Sequence, residues 1–242
     1  MDYVAAMPDA RDRDAQKRQA AKAALDFVQN DSVVGLGSGS TAALWIEMLG
    51  RRIADGDLNN VRGVPTSQSS AELARTFGIP LATPADVGGC DVVVDGADEV
   101  DPALNLIKGL GGALVREKIV GVASKKRVIV VDSANRVPQL GTRSPLPVEV
   151  VRWSHLWAAR QLEDVGGRPS LRLAKGGGMP YVTDNDNVIY DVAFDDGIDD
   201  PADLERRLLA IPGVVGTGLF LGIADVVLVA DDTGVERLDS RR

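Results

Sequence analysis

Apolar residues fall into two rhythms along the first half of the chain. Short runs rich in Val and Ile, at residues 32–36, 61–64, 79–82, 91–94 and 127–131, read as strands buried on both faces. Between them, apolar positions recur three and four apart. Ala21, Ala24, Leu25 and Val28 share one face of a helix over 15–28, and Leu44, Trp45, Met48 and Leu49 do the same over 42–52. Further helices are predicted over 69–77, where Gly78 stops the chain, and over 113–123. Strands alternating with helices predict a mainly parallel sheet.

The pattern changes near Pro145-Leu146-Pro147. A strand at 148–151, a helix at 154–165 and a strand at 171–173 come first. A hairpin of 182–183 with 188–194 follows, turning at Asp184-Asn185-Asp186-Asn187, then a helix at 203–210 and a strand at 214–220. This β-α-β-β-α-β order predicts a ferredoxin-like unit. Two last strands, 224–229 and 235–238, are placed to rejoin the first sheet. The expected fold class is therefore α/β. A Rossmann-like, mainly parallel sheet spans 14–144 and 221–242, and a smaller ferredoxin-like α+β domain spans 145–220. Residues 1–13 are expected to be a flexible N-terminal extension, and the smaller domain a candidate oligomer interface.

With 242 residues, 45% of them hydrophobic, the chain can bury a sizeable core. One Cys (Cys90) and one His (His155) exclude a disulfide within the chain. They also leave little for a zinc site or a Ser-His-Asp triad. Cys90 precedes an apolar run and reads as a buried strand-edge residue. His155 lies at a helix start and reads as structural. The net charge of −8 argues against nucleic acid or an anionic membrane as the main partner. No apolar stretch reaches the roughly 18–20 residues of a membrane span, and residues 1–14 lack a signal-peptide pattern. A cytoplasmic protein is expected. Charges are unevenly distributed by type: 27 Asp against 8 Glu, and 20 Arg against 7 Lys. A Lys set in a motif therefore stands out.

Three loops following strands carry candidate chemistry, and in an open parallel sheet such loops share one mouth. In Gly35-Leu36-Gly37-Ser38-Gly39-Ser40-Thr41, glycines admit an anion close to backbone, and the next helix offers free N–H groups. The run lacks the third Gly of a dinucleotide fingerprint and the Lys of a Walker loop. It fits a small phosphate ester, or simply a capped tight turn. Asp95-Gly96-Ala97-Asp98-Glu99 packs three carboxylates into five residues. They suit sugar hydroxyls, acid–base work or Mg²⁺, or else form a solvated acidic loop. Lys108-Gly109-Leu110-Gly111-Gly112 leads into a helix carrying Glu117, nine residues after the lysine. An ammonium there can polarise a carbonyl or stabilise an enediolate, with Glu117 facing the same mouth or merely solvent.

These motifs resemble the type A ribose-5-phosphate isomerase family. The likeness continues through Pro145-Leu146-Pro147-Val148-Glu149-Val150, Val182-Thr183-Asp184-Asn185 and Ile211-Pro212-Gly213-Val214-Val215, and covers about residues 14–240 in order. It implies cofactor-free, metal-free interconversion of D-ribose 5-phosphate and D-ribulose 5-phosphate in the pentose phosphate pathway, by a homodimer or homotetramer. Carried over, Glu117 would be the base and Lys108 would steady the enediolate. Asp95 and Asp98 would bind the sugar and help open its ring. Ser38, Gly39, Ser40, Thr41, Gly96, Ala97, Gly109, Leu110 and Gly111 would line the substrate site. Leu110 interrupts the family's glycine run. Asn135 stands where the family usually has a phosphate-binding Lys, so Asn135 or the adjacent Arg136 is expected to take part of that role. Two other classes remain open: a sugar-phosphate-sensing module and a related deaminase or CoA transferase. The acidic charge, the expected lack of a preceding DNA-binding helical domain and the Lys108–Glu117 pair weigh against the first, and the combination of Asp95-Gly96-Ala97-Asp98 with Lys108 weighs against the second.

Overall fold

The computed structural model describes residues 10–240. Of the expected flexible extension 1–13, residues 1–9 lie outside the described residues. Residues 10–13 are helical instead, and open α1 (Ala10–Ala24). The run is rich in Ala, Arg, Lys and Gln, all strong helix formers, so the helix starts before its apolar face does. Its buried Ala20, Ala21 and Ala24 then pack on the core.

The first unit continues through β1 (Val33–Leu36), α2 (Ser40–Ala54), β2 (Arg62–Pro65), α3 (Gln68–Thr76) and β3 (Cys90–Asp95). Two short strands follow, β4 (Glu99–Val100) and β5 (Leu106–Ile107), then α4 (Leu114–Val122) and β6 (Ser124–Asp132). The second unit comprises β7 (Leu146–Val150), α5 (His155–Asp164), β8 (Arg168–Leu171), β9 (Val188–Ala193), α6 (Pro201–Leu209) and β10 (Val214–Thr217). The chain ends with β11 (Leu219–Phe220), β12 (Val226–Asp231) and β13 (Gly234–Asp239).

Six strands form the main sheet in the order β13-β12-β6-β3-β1-β2. All neighbours are parallel except β12 and β13, so the chain's end does return to the first sheet. Trp45, Ile46 and Leu49 of α2 and the alanines of α1 bury one face of this sheet. From β1 the chain runs outward to β2, then crosses to β3 on the other side of β1. That reversal opens a crevice at the carboxyl ends of β1 and β3, where open α/β sheets bind ligands.

The second sheet, β10-β7-β9-β8, is antiparallel throughout, and its chain order is that of a ferredoxin-like unit. A three-stranded sheet, β11-β5-β4, joins the two. Here sequence and structure differ for a reason. The strand predicted over 214–220 breaks at Gly218, whose N–H goes to Pro147 O (2.7 Å) and whose carbonyl accepts from Lys108 N (2.9 Å). β4 and β5 are two residues each and exist only through that tertiary pairing, so no periodicity announced them. The strand predicted at 79–82 is reduced to a single bridge, Gly63 with Leu81, and the one at 171–173 lies three residues earlier. Cys90 is buried at the start of β3, and His155 Nδ1 lies 2.8 Å from Tyr190 Oη inside the second unit.

Candidate functional site

β1 ends at Leu36, and Gly37 donates its N–H to Val94 O of β3 (3.0 Å). The backbone passes so close to β3 that a Cβ on Gly37 would collide with Asp95 Oδ1. That oxygen accepts the N–H groups of Ser38 (3.0 Å) and Gly96 (2.8 Å), tying the first loop to the second. Gly39 takes φ +96°, a left-handed conformation open to glycine, and caps α2. The N–H groups of α2's first turn, at Ser40 and Thr41, have no intrahelical partner and point out of the helix end.

Lys108 stands at the centre. Its Nζ lies 3.0 Å from Asp95 Oδ2 and 3.3 Å from Glu117 Oε2, and donates to Gly96 O at 2.6 Å. All three side chains are buried. Burial opposes the ammonium's charge, but Asp95 and Glu117 outweigh it and hold the Lys108 pKa above its usual range. Glu117 goes the other way. Burial, reinforced by the Asp95 charge and only partly offset by Lys108, pushes its carboxyl up to about 8. Its Oε2 is near the ammonium yet accepts no aligned hydrogen bond. Asp98 is raised too, first by burial, while its Oδ2 accepts from Leu110 N at 3.0 Å.

Lys108, Glu117 and Asp98 line a cleft of about 180 Å³ together with Ser38, Gly39, Ser40, Thr41, Gly96, Ala97, Gly109, Gly111 and Asn135. Most of the residues singled out from sequence therefore meet in one place. Two do not face it. Asp95 lies behind Lys108, its carboxylate already engaged by two N–H groups and the ammonium. The Leu110 side chain is exposed, and only its backbone N–H serves the site. Glu99 is not part of a solvated acidic loop either. It is fully buried and accepts the N–H groups of Gly141, Arg143 and Ser144 at 2.6–2.8 Å, away from the cleft. Among the described residues, no group of three or more His, Cys, Asp or Glu side chains is arranged to hold a metal ion.

The alternative of Arg136 beside Asn135 needs correction. Asn135 lines the cleft and donates its amide to Asp98 O (2.9 Å). Arg136 leaves it, because its guanidinium pairs with Glu236 of β13 at 2.6 Å. Arg136→Ala is therefore expected to leave KM for a phosphorylated substrate within about twofold of wild type, an exposed pair being worth little. Steady-state kinetics of that variant check this.

Sequence reasoning missed two lining residues, Arg13 and Lys17, one turn apart on α1. The scarcity of lysine that singled out Lys108 applied equally to Lys17. It also missed two braces from the second unit. Arg172 donates to Gly109 O and Leu110 O at 3.0 Å each, and Tyr181 packs against Gly112, so the Lys108 loop is held from both units.

Comparison with known proteins bears on this geometry. The family described as ribose 5-phosphate isomerase A (phosphoriboisomerase A) matches residues 62–234. The chain belongs to the ribose 5-phosphate isomerase A family. Proteins of this name from Synechococcus sp. and Caulobacter vibrioides are each 49% identical to it. They align over 90% and 93% of this chain, and over 94% and 98% of their own length. Among solved structures, ribose 5-phosphate isomerase A from Methanocaldococcus jannaschii superposes with a TM-score of 0.88 at 42% identity, covering 93% of this chain and 98% of that one. The Plasmodium falciparum ribose 5-phosphate isomerase gives 0.91 at 33% identity, covering 95% and 100%. A D-ribose-5-phosphate isomerase solved in complex with phospho-erythronic acid gives 0.91 at 41% identity, covering 94% and 99%. Members of the ribose 5-phosphate isomerase A family are aldose–ketose isomerases, and the cleft described above lies within a fold shared over nearly its whole length.

Proposed function

We propose that this chain interconverts D-ribose 5-phosphate and D-ribulose 5-phosphate through an enediolate, without cofactor or metal, within the non-oxidative pentose phosphate pathway. The observation that carries the reading is the Glu117 carboxylate. It is buried, raised in pKa, and presents an oxygen without a hydrogen bond next to a fixed ammonium. A base with a pKa near working pH, beside an electrophile, is what proton transfer next to a carbonyl requires.

The roles follow from position. The phosphate dianion is repelled by the carboxylate end of the cleft and sits at the other end, against the first turn of α2, the hydroxyls of Ser38, Ser40 and Thr41, and Lys17. The sugar then reaches toward Lys108 and Glu117. Asp98 hydrogen-bonds the hydroxyls, accepts the proton of the anomeric hydroxyl O1–H as the C1–O4 bond of the furanose breaks, and returns it to O4, leaving the open aldehyde. Glu117 takes the proton from C2 of the open aldehyde, the C1–C2 double bond forms, and negative charge collects on O1. Lys108 stabilises that charge as a fixed cation. The hydroxyl proton passes from O2 to O1, Glu117 returns its proton to C1, and the carbonyl now stands at C2. Asp95 acts from behind, orienting Lys108 and both loops. The relative bound to phospho-erythronic acid, a sugar-acid phosphate, supports this ligand class.

The pH dependence has a definite sign. Glu117 works only when ionised, so kcat/KM falls as pH drops through its pKa in the free enzyme. With that pKa at about 8, the acid limb should lie far above an ordinary glutamate. A limb centred near 4.5 in a pH–rate profile would contradict the assignment. The function itself is tested by incubating the purified chain with ribose 5-phosphate and detecting ketose formation. Ribulose 5-phosphate should appear in the presence of a chelator, and unphosphorylated ribose should react far more slowly. No ketose from ribose 5-phosphate would reject the proposal.

The same reading includes a homodimer or homotetramer in the cytoplasm. An exposed apolar face on and beside α5, with Trp153 84%, Leu156 67% and Trp157 65% exposed, supports self-association. Among the described residues no helix is long and apolar enough to cross a membrane.

A further inference from the structure

We infer that Arg13, held in place by Asp132, binds the phosphate group of the substrate and supplies the positive charge that Asn135 cannot. The inference rests on the sugar-phosphate reading of the cleft and adds a residue to it.

Among the described residues, three cationic side chains line the cleft: Arg13, Lys17 and Lys108. Lys108 is committed. It lies within 3.3 Å of two carboxylates and is hydrogen-bonded to a carbonyl, so its charge is already answered. Beyond the N–H groups and hydroxyls at the start of α2, the remaining side-chain cations for a phosphate are those of α1. Lys17 follows Arg13 by one helical turn, which places both on the same face of the helix.

Arg13 is not a loose surface side chain. Its Nε and Nη2 both donate to Asp132 Oδ2 at 3.2 Å. Asp132 is fully buried at the end of β6, and its other oxygen accepts Ala134 N at 3.0 Å. The carboxylate thus fixes the plane of the guanidinium through one oxygen. Nη1 takes no partner among the described residues, and the side chain remains 39% exposed. A guanidinium so oriented offers its remaining donors to an oxyanion, a geometry that suits phosphate.

Asn135, three residues after Asp132, lines the same cleft but is neutral, and its amide is spent on Asp98 O. The end of β6 and the start of α1 therefore act together. Position 135 contributes shape and Arg13 contributes charge, delivered from more than a hundred residues earlier in the chain.

The test is calorimetric titration of the full chain with inorganic phosphate, alongside steady-state kinetics with ribose 5-phosphate. Arg13→Gln should weaken phosphate binding on the order of tenfold and raise KM in parallel, with a smaller effect on kcat. Adding Asn135→Lys to that variant restores a cation beside the vacated position and should recover most of the affinity. If Arg13 merely neutralises Asp132, Arg13→Gln lowers the melting temperature while phosphate affinity and KM stay at wild-type values. That result would overturn the inference, as would failure of Asn135→Lys to recover any affinity in a folded double variant. Weakened phosphate binding in a wild-type background that shows no isomerisation would support Arg13 and reject the isomerase reading, so the two failures are distinct.

Discussion

Glu117→Gln should lower kcat for ribose 5-phosphate isomerisation on the order of 10²–10⁴-fold, with KM changed far less. The substitution keeps the shape of the side chain and removes its basicity. Glu117 lies on α4, inward from the helix start, and is buried beside Lys108. In the proposed cycle it is the group that both takes the C2 proton and returns it to C1. No other carboxylate in or behind the cleft can substitute without moving. Asp98 is held by Leu110 N, and Asp95 lies behind the ammonium. The fold should tolerate the change, because a neutral amide escapes the desolvation that raises the Glu117 pKa. A thermal melt at or above the wild-type midpoint, together with the collapse in kcat, separates lost chemistry from lost structure. A variant turning over near the wild-type rate would remove Glu117 from the reaction.

Lys108→Met should cost about as much in rate and considerably more in stability. Loss of one preorganised electrostatic group at a developing oxyanion costs on the order of 10²–10³-fold in kcat. Here the same change strands Asp95 and Glu117, whose shared cation is gone. Breaking a buried ion pair by removing one partner costs about 3–5 kcal/mol. The carboxylates of the variant respond by holding protons to higher pH. Their protonated forms are compatible with burial and their charged forms are not. Native carboxyls then bind protons that the unfolded chain has already lost, so the variant's stability must fall as pH rises. Chemical denaturation of Lys108→Met and wild type at pH 5 and pH 8 checks the sign. A deficit larger at pH 8 fits the cluster, and a deficit independent of pH contradicts it. Lys108→Arg keeps the charge in a larger, planar group and should fold better than the Met variant while still losing rate.

Much of this architecture was legible in the sequence, because the residues that build it are chemically unusual. Val-rich runs buried on both faces have no other common use than a parallel sheet, and the loops after β1, β3 and β5 carry glycine, carboxylates and a rare lysine. What stayed hidden depended on pairing across the chain. Arg13 meets Asp132 over 119 positions, and nothing local marks either as a partner. Arg136 turns to Glu236 because β13 returns antiparallel beside β12, which sequence adjacency to Asn135 could not reveal. Asp95 looked like a sugar ligand from its motif. That its carboxylate already takes the Ser38 and Gly96 N–H groups follows from the close approach at Gly37, a feature of three-dimensional packing. For Glu99 the sequence left both a functional carboxylate and a solvated loop open, and neither holds: three backbone N–H groups of a loop some forty residues on bury it.

The central claim is that the cleft moves a proton by way of a carboxylate base. It is tested most directly by following ribose 5-phosphate with the wild-type chain in D₂O by proton NMR until the aldose and ketose reach equilibrium. An enediolate formed by a base that exchanges with solvent predicts deuterium at C1 of ribulose 5-phosphate. It also predicts progressive loss of the C2 proton signal of ribose 5-phosphate, and neither change with Glu117→Gln. Full equilibration with every proton retained at C1 and C2 would contradict it.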